Sequence, residues 1–367
     1  MQVESMDKKE PTLDALHDCL LIQCLPSQTK DSAEIAAEHH GGLVITGLGG
    51  IVEARKLRRS GFTGPILCDA GRYTGSKRRA AQAGISDDWC ERQRTIGGIA
   101  LTDSGFIDAG ETAGLRNILT GAARQPAPTI ALLPLAQGWL RTLPYAKALV
   151  AEIADHGVPV AVAIEHDNDP LGQQQVLAGF LEVLAAPVPV LLLRADVSAL
   201  GALCHGAHAA AVGTATNLRH IYPRKPSGGP PPRIPQVSAF VRHLLCYRSL
   251  DVIAAAVQET PDETDIWQCQ CGECLGRSLD RLATIEDGTE QVTRAFRHSL
   301  HGLFETRHGL LTAGSTPEDR RKSWHEHCQH ALFEHTGLKR TLRAWRTPGA
   351  LRAWAAAPPP AQSSPIP

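Results

Sequence analysis

Short apolar runs separated by amphipathic stretches fill the first two thirds of the chain. Eight such runs, at 19–25, 43–47, 65–69, 99–103, 129–135, 159–164, 188–193 and 209–214, are rich in Val, Ile, Leu and Ala and do not alternate with polar residues. That is the pattern of strands buried on both faces. Helical spacing recurs between most of them, at 32–39, 51–60, 111–123, 145–156, 173–185 and 198–205. The link 73–95 is longer and basic, carries Trp89, and is expected as an insertion over one end of the sheet. Eight β–α units in about two hundred residues predict a closed (β/α)8 TIM barrel. An open doubly wound sheet is the competitor, but no G-x-G-x-x-G follows the first run, and Gly47-Leu-Gly49-Gly50 is too short a match.

The pattern then changes. Residues 215–236 include Ser227-Gly-Gly-Pro-Pro-Pro, which predicts an irregular exposed loop. Residues 237–257 read as the last barrel helix and its exit. The expected organisation is a barrel at 1–258, a metal-binding subdomain at 259–310, a basic helical tail at 311–356 and a disordered Pro/Ser-rich end at 357–367. The tail gathers His325, His327, His330 and His335, read as an exposed polar helix, and is basic from 339 to 352, read as a solvated face.

Composition narrows the partners. The chain has 367 residues, and Lys plus Arg nearly cancel Asp plus Glu, for a net charge of -1. No global charge draws it to nucleic acid, so phosphate contacts must come from local patches. No apolar stretch is long enough to span a bilayer and no basic start precedes an apolar run, so a cytoplasmic location is expected. Seven of the ten cysteines are scattered, several in apolar runs, which argues against a disulfide framework.

The other three cysteines form Cys269-Gln-Cys271-Gly-Glu-Cys274. Thiolates at C-x-C-x2-C spacing can converge on one tetrahedral ion, usually Zn²⁺. The following helical segment, 290–307, offers His298 and His301 as a fourth ligand. In a barrel the working residues sit at the C-terminal ends of the strands. Those ends are polar here: Cys68-Asp69-Ala-Gly71-Arg72, Thr102-Asp103-Ser104, Gln137-Gly138-Trp139, Glu165-His166-Asp167, Arg194-Ala-Asp196, then Thr214, Asn217, Arg219 and His220. Carboxylates sharing one mouth can divide acid, base and nucleophile roles; Asp103 and Asp196 can equally be helix N-caps.

A cysteine knuckle after an eight-unit barrel resembles the tRNA-guanine transglycosylases, which exchange a guanine for a deazaguanine. The resemblance implies that Cys269, Cys271, Cys274 and His301 hold zinc, with His298 the alternative; twenty-six residues separate Cys274 from His301, and Phe304 follows it. It implies a proton-handling role for Asp69, in Ile66-Leu67-Cys68-Asp69-Ala70-Gly71, and base recognition by Asp103. Gln137-Gly138-Trp139-Leu140-Arg141 looks like a shortened Gln-Gly-Gly…Leu-Arg motif, and Glu165 remains from the strand-six motif. The departure is in strand eight. Where the family carries its nucleophilic aspartate, this chain reads Gly206-Ala-His208-Ala-Ala-Ala211, so the position falls on or near Ala211.

The expectation is therefore a divergent base-exchange enzyme acting on tRNA or DNA, with a purine or deazaguanine base as ligand. Asp69 and Asp196 are its catalytic candidates, Asp196 standing in as nucleophile with Arg194 keeping it ionised. Asp103, Gln137, Gly138 and Glu165 are the base-site candidates, and Arg72, Lys77, Arg78, Arg79, Arg219, Arg224 and Lys225 the phosphate contacts. Two alternatives stand beside it. One is a catalytically inactive nucleic-acid-binding subunit, paired with a partner chain or a second copy. The other is an unrelated small-molecule barrel enzyme with a structural zinc, whose phosphate site would lie at Gly213 and Thr214.

Overall fold

A computed structural model describes residues 12–224 and 236–357. Lys225, the Ser227-Gly-Gly-Pro-Pro-Pro stretch and the Pro/Ser-rich end from residue 358 lie outside the described residues. All eight apolar runs are strands: β1 Cys19–Cys24, β2 Gly42–Thr46, β3 Ile66–Asp69, β4 Ala100–Leu101, β5 Thr129–Ala136, β6 Val160–Glu165, β7 Val190–Ala195 and β8 Ala209–Gly213. They pair in parallel in the order β3-β2-β1-β8-β7-β6-β5-β4, a sheet nearly closed into a (β/α)8 barrel with helices around it. Among the described residues no helix is long and apolar enough to cross a membrane.

The helices are α1 Thr29–Glu38, α2 Gly50–Arg59, α3 Asp87–Arg94, α4 Thr112–Ala123, α5 Gly138–Arg141, α6 Leu143–His156, α7 Gln174–Leu184 and α8 Ser198–Cys204. Beyond the strands come α9 Leu250–Glu259, α10 Thr264–Trp267, α11 Gly288–Thr312, α12 Pro317–Thr341 and α13 Gly349–Ala356. Two sequence expectations are corrected. Residues 237–257 are not one helix: they begin with a hairpin of β9 Ser238–Val241 and β10 Cys246–Ser249, and only α9 is helical. The last helical place against the barrel belongs to α11, which packs on α1, α8 and β1. The link 73–95 is also more than an insertion, because its second half is α3, the helix of the third unit.

Burial explains the absence of alternation. The outer strand faces pack with the surrounding helices in one large apolar cluster, while Leu21, Val44, Leu67, Leu101, Ile130, Leu132, Ala161, Leu191, Leu193 and Ala211 fill the barrel interior. Both faces are dry, so both must be apolar. A third cluster lies around the cysteine knuckle and includes Ile253, Trp267, Leu282, Leu338 and Trp345. His335, expected on an exposed helix, is buried there: its Nε2 is 3.0 Å from the Leu244 carbonyl and its Nδ1 accepts from Trp345 Nε1 at 2.8 Å.

The sheet order leaves one seam, between β3 and β4, and α3 closes it with side chains. Gln93 Nε2 donates to the Leu101 carbonyl at 2.8 Å, and its Oε1 accepts from Leu101 N at 3.1 Å and Cys68 N at 3.4 Å. Trp89 Nε1 donates to the same carbonyl at 3.0 Å. A single buried amide thus satisfies main-chain groups that a neighbouring strand would otherwise bond. Replacing Gln93 with Leu should cost about 2–4 kcal/mol, because buried donors and acceptors on both sides lose their partner. Denaturant unfolding checks this; a loss below about 0.5 kcal/mol would show that the seam holds without the amide.

Candidate functional site

Strand alternation decides what reaches the barrel mouth. On β3, Leu67 points into the barrel, so Asp69, two residues on, points the same way one layer higher. Gln23 and Thr46 occupy that layer on β1 and β2. Asp69 Oδ2 accepts from Tyr73 OH at 2.7 Å, Gln23 Nε2 at 3.1 Å and Thr46 Oγ1 at 3.3 Å; Oδ1 accepts from Gly71 N at 2.8 Å. Arg194 Nη2 completes the set at 3.5 Å. Aspartate and arginine are both buried, at 0% and 4% exposed.

Arg194 reaches this place by an unusual backbone. It sits at the register shift of β7 with φ 52, the left-handed region that non-glycine residues rarely adopt. There its N–H donates to Gln23 Oε1 at 2.7 Å, its Nε to Tyr73 OH at 2.6 Å and its Nη1 to the Asn217 carbonyl at 2.8 Å. Burial, with Asp69 alongside, pushes the Tyr73 hydroxyl well above its ordinary pKa, so it stays protonated and keeps donating to Asp69. Tyr73, Phe106 and Ile221, from the segments after β3, β4 and β8, join the interior cluster and cover the mouth.

No nucleophile stands on β8. Ala211 is paired with Leu21 in the packed interior, fully buried, one layer below the mouth. The residue level with Gln23 is Gly213, and a Cβ there would collide with the Leu218 backbone and lie 2.8 Å from Arg219 N. The chain folds back directly over that strand end. Thr214 Oγ1 donates to Gln28 Oε1 at 2.8 Å; Gly213 is covered by protein, while Thr214 is half-buried and lines a cavity of about 1000 Å³ with Ser27, Asn217 and Arg219.

The other strand-end residues divide between rim and outer wall. Asp103 accepts from Ser86 N at 2.7 Å and pairs with Arg72 at 3.1 Å and Arg79 at 3.6 Å. Glu165 pairs with Arg78, whose guanidinium lies 3.5 Å from the Phe106 ring centroid and 3.8 Å from Asp108. Arg219 stacks on Tyr247 at 3.5 Å, and Arg224 donates to the Arg78 carbonyl at 2.9 Å. Lys77 and Arg224 are exposed. Gln137 and Gly138 open α5, where Gly138 packs on Ala109 so closely that a Cβ would lie 2.6 Å from that methyl.

Asp196 is a correction. It does not approach Asp69, and Arg194 serves Asp69 instead. Two residues past Arg194, Asp196 faces outward, accepts from Ser198 N at 3.3 Å, and meets Asp169, which accepts from Ser198 Oγ at 2.8 Å and Leu171 N at 2.9 Å. Sequence reasoning missed Asp169, because it lies four residues past β6 in a loop and meets Asp196 only in the fold. The two line a cavity of about 450 Å³ with His166, Gln173, Tyr247 and Trp354, walled by α13. Burial first, and the Asp196 charge second, push the Asp169 carboxyl well above the usual carboxylate range.

The cysteine knuckle forms a compact ligand set. The four ligand atoms of Cys269, Cys271, Cys274 and His298 lie within 4.8 Å of one another, and all four residues are buried. His298 Nδ1 is 3.1 Å from Cys274 Sγ and 3.5 Å from Cys271 Sγ. Ligands at ~2.0–2.3 Å from one tetrahedral ion are separated by roughly 3.3–3.8 Å, so the set fits a metal ion after small movements. His298 Nε2 lies 2.7 Å from the Phe240 carbonyl, which fixes the proton there and turns the Nδ1 lone pair to the sulfurs. Hydrogen bonds from Cys269 first and Cys271 second hold the Cys274 thiol down at about 3.

His301 is therefore not the fourth ligand. It lies three residues along α11, about 4.5 Å further and about 60° short of a full turn, which aims it at α1. Its Nδ1 is 2.8 Å from His39 Nε2. Comparison of the sequence with protein-family models and with curated proteins gives no match.

The carboxyl pair carries a pH prediction. Above the usual carboxylate range the folded chain holds a proton at Asp169 that the unfolded chain has lost, so stability falls as pH rises through the folded pKa. Asp169→Asn removes the charge, keeps one oxygen to accept from Leu171 N, and offers an NH2 that can donate to Asp196 as the protonated carboxyl does. It should lose less melting temperature than wild type between about pH 5 and about pH 8. Equal losses in the two proteins would mean that the pair does not share a proton.

Proposed function

We propose that the chain is a tRNA-guanine transglycosylase-like barrel that binds nucleic acid, tRNA or DNA, as a non-exchanging subunit, and that its Cys3His cluster holds a structural Zn²⁺. One observation carries the first half: a cation, Arg194, lies 3.5 Å from Asp69 at the mouth, and the carboxylate is bonded to Gln23, Thr46, Tyr73 and the Gly71 N–H. Covalent exchange needs a carboxylate to meet the positive charge that develops at the sugar carbon. On β8, Ala211, where the resemblance puts that carboxylate, is packed in the barrel interior, and Gly213, two residues on, has no room for a side chain.

The rim supports binding. Of six cations, Arg72, Lys77, Arg78, Arg79, Arg219 and Arg224, three pair with carboxylates: Arg72 and Arg79 with Asp103, and Arg78 with Asp108 and Glu165. The pairs order the arginines, and the excess positive charge remains for phosphates. A subunit of this kind implies a partner chain that carries the exchange chemistry.

Zinc is favoured by the donor set, three thiolates and an imidazole with no open position, which suits a closed structural site. Cys269, Cys271, Cys274 and His298 would hold it. Its chemistry there is to lock the knuckle to α11, adding folding free energy and no reactive ligand.

A second reading keeps base exchange. It is favoured by Asp69, a carboxylate at the end of β3 facing the barrel axis, where the resemblance puts a proton-handling group. It requires Tyr73 and Arg194 to release that carboxylate when a base enters.

Three outcomes test these proposals. Lys77→Ala with Arg224→Ala, chosen because both side chains are exposed, should weaken tRNA or DNA binding and reduce the salt slope by about two; an unchanged slope assigns these residues to solvated surface. Labelled guanine should not enter either polymer. Exchange that is lost in Asp69→Asn and kept in Asp196→Asn would overturn the non-exchanging reading in favour of the second. Cys271→Ser should lower zinc content and melting temperature together, whereas wild type with less than about half an equivalent of zinc and unchanged stability in chelator would remove the structural metal.

A further inference from the structure

The residue displaced from the knuckle has a cluster of its own. Glu38 is the last residue of α1 and His39 its C-cap, and both meet His301 of α11. His39 Nε2 and His301 Nδ1 are 2.8 Å apart, and Glu38 Oε1 is 4.0 Å from the same His301 nitrogen. The rings are held in place. His39 stacks on Phe304, with centroids 5.0 Å apart and planes 2° from parallel. His301 is 3% exposed and lies over Gly272 of the knuckle, its Cε1 3.9 Å from where a Cβ would stand. Phe304 in turn is pinned by Gly41, where a Cβ would lie 2.6 Å from its ring.

Two imidazole nitrogens facing each other need something between them, either one proton or one cation. The proton accounts for the two rings but leaves the carboxylate beside them without a hydrogen bond to either. Two nitrogens and a carboxylate oxygen, opening by about half an ångström at the rings, match three donors of an ion bound at ~2.0–2.2 Å. The Glu38 side chain is 58% exposed, so water can complete the coordination and the ion can exchange.

We propose that Glu38, His39 and His301 form a second divalent-metal site, separate from the Cys3His cluster and open to solvent. Its chemistry selects a borderline cation, Zn²⁺, Co²⁺ or Ni²⁺, over Mg²⁺ or Ca²⁺, because two of three donors are imidazole nitrogens. The ion would tie the end of α1 to α11 one helical turn past His298. The barrel's first helix and the knuckle's ligand helix would then share a clamp. The weaker, water-completed site should fill after the thiolate site.

The test is a Co²⁺ titration of the full-length metal-free protein under reducing conditions. Sulfur-to-cobalt charge-transfer absorption reports the thiolate site, and ligand-field bands without new charge transfer report the nitrogen–oxygen site. Wild type should bind two ions per chain, the second adding ligand-field absorption only. His39→Ala and, separately, Glu38→Gln should bind one tight ion, with the charge-transfer band intact as evidence that the knuckle has folded. Mg²⁺ in excess should not displace the second ion. Wild type that saturates at one ion, or His39→Ala that still binds two, would overturn the proposal and leave a histidine–histidine hydrogen bond.

Discussion

The buried pair of Asp69 and Arg194 governs what this barrel can be. A carboxylate and a guanidinium removed from water lose strong hydration, and the loss is offset only if every remaining donor and acceptor is bonded. Here each charged nitrogen and oxygen has a partner: Gln23, Thr46, Tyr73 and the Gly71 N–H serve the aspartate, and Tyr73, the Asn217 carbonyl and Asp69 itself serve the arginine. The set draws on β1, β2, β3 and β7 and on the segments after β3 and β8. It fixes those strand ends relative to one another, as packing alone fixes the lower layers. Breaking one partner would strand a buried charge, which is why the mouth reads as a closed structural unit before it reads as a pocket.

That arrangement has a geometric cost at Arg194. A left-handed arginine in a strand is disfavoured by roughly 1–3 kcal/mol. The turn aims Arg194 inward, while Asp196, two residues on, keeps the outward side and meets Asp169. Two carboxylates of one chain thus meet opposite fates. Asp69 has four donors and a cation, whereas Asp169 has two donors, Ser198 Oγ and Leu171 N, and a second carboxylate in place of a cation.

The sequence made the barrel legible because both faces of its strands are dry, so apolar runs without alternation mark them whatever their neighbours. It made the three cysteines legible because their spacing is local. It did not reveal the hairpin at 238–249, since a strand pair bounded by Arg242, His243 and Arg248 resembles an amphipathic helix in composition. It could not choose between His298 and His301: they lie three residues apart on one helix, and the choice rests on which face meets the Phe240 carbonyl, a contact made across 58 residues of chain. Asp196 was misassigned although alternation from the inward Leu191 and Leu193 already sends it outward; the residue that the shift between Leu192 and Ala195 takes off the count is Arg194, which turns inward.

The insertion of the knuckle before α11, rather than after the barrel, changes what a metal would do. A helix packed on α1, α8 and β1 is part of the barrel wall, and His298 sits on it six residues before Phe304, which packs on Gly41 just before β2. An ion held by three cysteines and His298 would therefore constrain the barrel's own last helix, not a tethered module. The fold depends on that helix to cover β1, so the closed mouth above and the metal cluster beside it are linked through one strand. Gln23 at the top of β1 holds Asp69, and the Asp18 carbonyl at the bottom accepts from Arg307 of α11 at 2.6 Å. Loosening α11 would release the strand from below while the ion pair still gripped it from above.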